Sequence, residues 1–355
     1  PTHSRERVMT KTTSVVAAFS QQAGWCDRLG SPFTARVLEA VVEVLASPGE
    51  VQRLILDWPG DPRADAVPLR VAGGLHALVL TSRDAGLVAC YPPHHAPSAA
   101  ALAAAVAGAF AANAAFFTQF LQSPPQTNEV ARSGILLGGF MEIGEATGLP
   151  LRMLELGASA GLNMVWDRFG YRLGELAWGD PASPVQLAPE WRGPSPRGVA
   201  MRVASRAGCD VAPVDLADPE RRLRLTSYVW ADQATRLARL DGAITLARAA
   251  GILVQRADAA VWTRDQLAIP TPGQTTVLYH SIFWQYLPAA TQAAIAASVA
   301  DAGARATAEA PLAWLRFEPP DPAQRAALTL TCWPNGGTRQ LGEADAHGRV
   351  MDWLG

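Results

Sequence analysis

The stretch LRMLELGASAGLNMVWDRF, residues 151–169, constrains this chain more than any other. An apolar run ends in Glu155, passes into Gly157-Ala158-Ser159-Ala160-Gly161, and continues with amphipathic spacing. Glycines there let the backbone turn sharply and approach a ligand closely, and a helix beginning after them leaves N–H groups free. Further short apolar runs follow: VAPVDL (211–216), ILVQRA (252–257), TTVLYHS (275–281), PLAWLRFE (311–318), ALTLTCW (327–333), and a last one near 349–354. Helix-like segments at 161–169, 198–207, 232–250 and 289–302 separate most of them. Strands alternating with helices predict a mostly parallel sheet built from right-handed crossovers. Only WPNGGTRQLGEADAHGR links the last two strands, too little for a crossover helix, so they are expected as an antiparallel pair at the sheet edge. The Pro-, Gly- and Trp-rich segment 171–196 fits neither pattern and reads as an inserted hairpin or lid.

The residues before Pro150 carry a helical period instead. In FTARVLEAVVEVL, Val37, Val41, Val44 and Leu45 fall on one stripe, with Ser31 as expected N-cap and Pro32 in the first turn. Further helical pieces are expected at 69–82, in the Ala-rich segment 98–117 and at 129–145. The predicted organisation is an all-helical domain over 1–145, capping an α/β domain over 146–355. Segment 98–117 has the length of a membrane span, but Ala is barely apolar and Asn113 interrupts it, so a packed internal helix is expected. The apolar stretch 15–19 is too short for the core of a signal peptide. The four cysteines stand apart with no CxxC pair, which predicts free thiols in a reducing, cytoplasmic setting, without disulfides or a bound metal. A net charge of −2 argues against a nucleic-acid partner.

Two chemistries compete for the glycine loop. One is the E-x-G-x-G-x-G cofactor loop of S-adenosylmethionine-dependent methyltransferases, with Ser159 at the middle glycine and Glu155 just ahead of it. Glu155, Gly157, Ala158, Ser159, Gly161 and Asn163 would then line the cofactor. The other is the G-x-S-x-G elbow of α/β-hydrolases, with Ser159 as nucleophile, His347 as base, and Asp301 or Asp321 as the acid. The cofactor reading is favoured for three reasons. The loop follows the first clear strand, no HGGG-type oxyanion motif precedes it, and the later strands match a methyltransferase sheet. A third possibility is a non-catalytic protein that keeps the Rossmann-like shape for interaction.

A cofactor site of this type wants acids at the ends of the next strands. Asp215, closing VAPVDL, is expected at the ribose hydroxyls, with Asp180 as a less well placed rival, and Asp258 near the adenine amino group; each has a plain alternative as a capping or turn residue. In VLYHSIFWQYLP (277–288), His280 ends a buried strand, followed by Trp284, Gln285 and Tyr286. Ligands bind outside the carboxyl ends of strands in open α/β sheets, so these side chains are expected to meet substrate, with His280 as general base or as a structural histidine. Asn128, Glu129 and Arg132 are dense polar residues among apolar ones, which predicts a buried network at the substrate pocket or between domains. The Trp178–Pro181 turn, with Asp180, is expected over the same cleft.

The segments PPQTNEVARSGILLGGF (124–140), LRMLELGASAGLNM (151–164), WGDPASPV (178–185), PVDLADPE (213–220), RADAAVW (256–262) and HSIFWQYLP (280–288) resemble the bacterial DUF2332 family over nearly the whole chain. The resemblance implies one recurring bacterial fold and supplies no reaction. The functional expectation therefore rests on the loop, the strands and the acids. It is a methyltransferase with a Rossmann-like α/β sheet, using S-adenosylmethionine on a small molecule, with neither nucleic acid nor membrane as partner.

Overall fold

The computed structural model describes residues 2–321 and 324–355, with side chains from residue 13 onward. Two compact units divide it: residues 1–127 with 219–238, and residues 128–218 with 239–355. The division falls at 127/128 instead of 145, and a later segment, 219–238, belongs with the first unit.

Helices build the first unit: α1 (Thr2–Arg28), α2 (Pro32–Leu45), α3 (Glu50–Leu56), α4 (Val67–Leu80), α5 (Ala85–Cys90), α6 (Ala99–Ala112) and α7 (Ala114–Phe120). The stripe Val37, Val41, Val44 and Leu45 is buried, and it joins Phe19, Leu38, Ile55, Leu75 and Phe110 in one core. Each such side chain contributes roughly 1.5–3 kcal/mol on leaving water. Ser31 does not cap α2 through its own hydroxyl. Its hydroxyl donates to Asp232, whose Oδ2 accepts the Phe33 N–H at 2.9 Å, so a distant carboxylate caps the helix. The Ala-rich segment is broken at Asn113, with α6 and α7 bent by 86°. Among the described residues no single helix is long and apolar enough to cross a membrane.

The second unit is an α/β fold around a large, mostly parallel sheet. Its strands are β1 (Leu151–Leu156), β2 (Gly170–Leu173), β3 (Leu176–Gly179), β4 (Gln186–Leu187), β5 (Glu190–Arg192) and β6 (Val203–Asp210). They continue with β7 (Gln255–Arg256), β8 (Thr275–Ser281), β9 (Leu312–Glu318), β10 (Ala326–Trp333), β11 (Gly337–Ala344) and β12 (Val350–Trp353). The main sheet runs β5-β12-β11-β10-β9-β8-β1-β6-β7. Strands β7, β6, β1, β8 and β9 are all parallel. Such strands, covered on both faces, need near-continuous apolar runs, which is why β1 and β8 were legible as LRMLEL and TTVLYHS. After α9 (Pro219–Ser227) and α10 (Ala234–Ala249), helices α11 (Ala259–Gln266) and α12 (Ala289–Gly303) cover the face that carries Leu154, Leu156 and Leu278. Helix α8 (Ser133–Thr147) covers the other, where Phe140 packs on Trp166 and Tyr279.

Four further expectations are corrected and one is met. The strand expected at 211–216 is not formed, and the helix expected at 198–207 gives way to β6, which runs over 203–210. The antiparallel pair expected between 327–333 and 349–354 is not formed: these become β10 and β12, and β11, built from the segment expected only to link them, lies between and pairs antiparallel with both, while β5 extends the sheet beyond β12. Of the hairpin or lid expected at 171–196 the hairpin is formed: β2 and β3 pair antiparallel, β4 joins them in a small sheet, and β5 pairs with β12 at the edge of the main one. The segment after the glycine loop is a 3-10 turn over Leu162–Arg168, broken at Val165, instead of an α-helix.

Candidate functional site

Strand β1 has β6 on one side and β8 on the other. After β5 at the far edge, the chain forms β6 and β7 on one side of β1 and then returns across the sheet to β8 on the other, so the end of β1 is a point where the strand order reverses. In open α/β sheets ligands bind at such a reversal. The glycine loop occupies it. Gly157, Ser159 and Gly161 all have positive φ, at 65°, 53° and 73°. A Cβ on Gly157 would overlap the Phe283 ring, so only glycine fits beneath it. Ser159 pays a steric penalty that a glycine would avoid.

The loop is held by backbone and side-chain bonds together. The Ala158 N–H extends the ladder to the Cys209 carbonyl at 3.0 Å, and Gly161 N–H closes a turn on the Ala158 carbonyl at 2.7 Å. The Ser159 N–H donates to Asp210 Oδ2 at 2.9 Å, and Asp210 Oδ1 accepts from the Ala212 N–H at 2.8 Å. Ser159 Oγ is buried, and among the described residues it has no hydrogen-bond partner. An unpaired buried hydroxyl on a strained residue is costly, and such costs collect at ligand sites.

Strand alternation sorts the neighbouring side chains between the two sheet faces. Glu155 and Tyr279 lie on the α8 face, where the Tyr279 hydroxyl donates to Glu155 Oε2 at 3.3 Å. Burial pushes the Glu155 carboxyl up to about 8, against the lowering effect of the Tyr279 bond and of the Arg132 charge; Asp210 adds to the rise. Around the loop stands the segment 128–133. Asn128 Oδ1 accepts the Leu162 N–H at 3.0 Å, and Asn163 receives the Ser133 hydroxyl at 2.7 Å while donating to the Glu129 carbonyl at 3.3 Å. Glu129 Oε1 accepts from the Ala131 N–H, and Arg132 donates to the Ala346 and Ser281 carbonyls.

The expected site residues are thus divided. Glu155, Gly157, Ala158, Ser159, Gly161 and Asn163, with Asn128, Glu129 and Arg132, gather around the end of β1. Asp258 follows β7 and caps α11 through the Ala260 and Val261 N–H groups. Asp215 ends no strand; it sits in the loop after β6, where Oδ1 accepts the Ala217 N–H at 2.8 Å. The strand-end acid is Asp210, hidden because VASRAGCD lacks a continuous apolar run. Asp180 closes an exposed turn after β3 and accepts the Ala182 N–H.

His280 lies on the opposite sheet face from Glu155 and is fully buried. Its Nε2 accepts from Trp314 Nε1 at 3.2 Å. Since indole only donates, the proton sits on Nδ1, which donates to Glu318 Oε1 at 2.6 Å. Both ring nitrogens are therefore engaged within the fold, which suits a structural histidine and not a free base. Trp284 stacks on it, with ring centroids 5.2 Å apart. Gln285 Oε1 is buried and has no hydrogen-bond partner among the described residues, and Tyr286 is exposed. The other candidate histidine, His347, donates its backbone N–H to Asp345 in its own loop and forms no hydrogen bond with Ser159 Oγ.

The protein family described as "Uncharacterized protein conserved in bacteria (DUF2332)" matches residues 16–353, so the chain belongs to it. No curated protein and no solved structure matches the chain.

Proposed function

We propose that this DUF2332 member binds S-adenosylmethionine at the end of β1 and methylates a small molecule. One observation carries the reading: the left-handed loop at the reversal of strand order is bonded to a carboxylate, Asp210, at the end of the adjacent parallel strand. That is the arrangement by which Rossmann-like sheets hold the ribose of a nucleotide-type cofactor. The residues suit such a ligand. Gly157 and Gly161 let it approach the backbone, and Ser159 Oγ is a buried hydroxyl still lacking a partner. Asp210 takes the ribose role expected of Asp215, Asp258 stands at the end of β7 for the adenine, and Glu155 serves the methionine end.

When bound, the cofactor supplies an activated methyl group. The chain's own contribution is placement: it fixes the loop, excludes water and aligns the acceptor. His280 is not assigned a proton transfer, because both its nitrogens are already bonded. The hydrolase alternative needs a base on Ser159, and that hydroxyl has no partner.

Thermal-shift and calorimetric titrations with S-adenosylmethionine and S-adenosylhomocysteine test the reading. Ligand at 100 times its dissociation constant should add about 2.7 kcal/mol to stability. No shift at millimolar ligand overturns it.

A further inference from the structure

We infer that a second cleft, beside the ends of β8 and β9, binds a planar aromatic monocarboxylate through Arg316 and Trp284. The cleft measures about 690 Å³, and its walls include Trp284, Arg316, Glu318, Thr329, Gln340 and Glu343. That volume lies within the roughly 300–1,000 Å³ of small-molecule sites. It opens on the sheet face of His280, away from Glu155, and the inference stands independently of the cofactor reading.

Arg316 carries the argument. Its guanidinium carbon lies 4.4 Å from the centroid of the Trp314 ring, a cation–π contact that holds the fork against the ring. Its Nε is buried, and among the described residues no acceptor takes a hydrogen bond from it. A buried cationic donor without an acceptor is costly, and a ligand carboxylate removes that cost with paired N–H···O bonds. The other charges facing the cleft are already engaged. Glu318 accepts from His280 Nδ1 and from the Phe283 N–H at 3.0 Å. Arg325 pairs with Asp352, and Glu343 accepts from Gln340. Arg316 has the Glu318 charge beside it, but its Nε donor is left to satisfy, and the two carboxylates of the cleft leave room for at most one further negative charge, so a dianion is repelled. Trp284 supplies the aromatic wall. One of its faces is taken by His280, and the residue lines the cleft. An aromatic ring bearing the carboxylate fits a site with a fixed fork and a π surface.

The test is calorimetric titration of the full-length chain, without cofactor, using 2-naphthoate, its neutral analogue 2-naphthylmethanol, and 2-naphthyl phosphate. The expected result is saturable binding of 2-naphthoate, with the alcohol and the phosphate each at least tenfold weaker. Arg316→Gln and Trp284→Leu should each weaken naphthoate at least tenfold while the unfolding midpoint confirms a folded chain. Should Arg316→Gln fail to fold, Arg316→Lys keeps the charge but loses the fork, and the same weakening is expected. Absence of naphthoate binding at millimolar concentration, equal binding of the alcohol, or unchanged affinity in the folded Arg316 variant overturns the assignment. Tighter binding of the phosphate overturns its charge class.

Discussion

The Ser159 N–H donates to Asp210 Oδ2, so the glycine loop after β1 is tied to the end of β6 by a carboxylate as well as by the strand ladder. The same carboxylate accepts the Ala212 N–H, which turns the chain out of β6. Asp210→Ala leaves two backbone donors unpaired and should destabilise the chain by about 1–3 kcal/mol, read from urea unfolding. If Asp210 also holds the ribose, cofactor affinity should fall at least tenfold in the folded variant. Unchanged affinity would remove Asp210 from the site.

Glu155 makes stability depend on pH. Its carboxyl is pushed from the ordinary 4.5 to about 8, so the native state keeps a proton that the unfolded chain has released. Its contribution is complete below 4.5 and is lost as pH rises through about 8, with a limiting slope of about 1.4 kcal/mol per pH unit. Urea unfolding of Glu155→Gln across that window should show a shallower decline than the parent chain. Equal slopes would mean that Glu155 is ionised in the native state. The proposed ligand carries an ammonium, which beside Glu155 favours the carboxylate. Calorimetry below pH 8 in buffers of different ionisation enthalpy should then reveal proton release on binding.

How far the sequence discloses this site depends on which strands are buried. Strands β1, β8 and β9 are covered on both faces, so each needs an apolar run that can be read directly. Strand β6 lies between β1 and the two-residue edge strand β7, and only Gly208 and Cys209 of VASRAGCD are buried, so its charges and small residues mimic a helix or loop. That single displacement moved the strand-end acid from Asp210 to Asp215. The loop itself was legible because positive φ leaves a glycine signature at 157 and 161. Phe283 and Tyr279 were not, since contacts between distant strands leave no local pattern. The role of His280 was also hidden: its partners, Glu318 and Trp314, come from the neighbouring strand β9.

Gly157 and Phe283 form a close pair that a methyl group would break. Gly157→Ala puts a Cβ into the ring and demands φ of 65° from an L-residue, so a loss of about 2–4 kcal/mol is expected. Phe283→Ala in the same chain removes the overlap but keeps the backbone strain. The double variant should therefore recover part of the loss relative to the sum of the two single changes. Strict additivity in a double-mutant cycle would show that Phe283 does not cover the loop in solution.

Glu318 joins three elements, since it accepts from His280 on β8 and from the Phe283 N–H beyond it while belonging to β9. Glu318→Ala leaves the buried His280 Nδ1–H and the Phe283 N–H without acceptors. A loss of about 2–3 kcal/mol is expected, the range for hydrogen bonds to a charged partner. Glu318→Gln keeps one acceptor oxygen and should lose less. An Ala variant as stable as the parent chain would show that His280 is not held in the Nδ1–H form.

Ser159 separates stability from ligand binding. Its φ of 53° costs an L-residue roughly 1–2 kcal/mol relative to glycine, offset by the greater entropy glycine loses on folding. Its buried Oγ adds the cost of an unmade hydrogen bond. Ser159→Gly removes both costs, so the variant should be more stable by about 0.5–1 kcal/mol. A residue kept at such a cost only for packing would be replaced without consequence for S-adenosylmethionine. A residue that bonds the cofactor would not: affinity should then fall severalfold even as the unfolding midpoint rises. Opposite movement of the two measurements assigns Ser159 to the ligand. A rise in both assigns it to neither packing nor binding, and the loop would then act through its glycines and Asp210 alone.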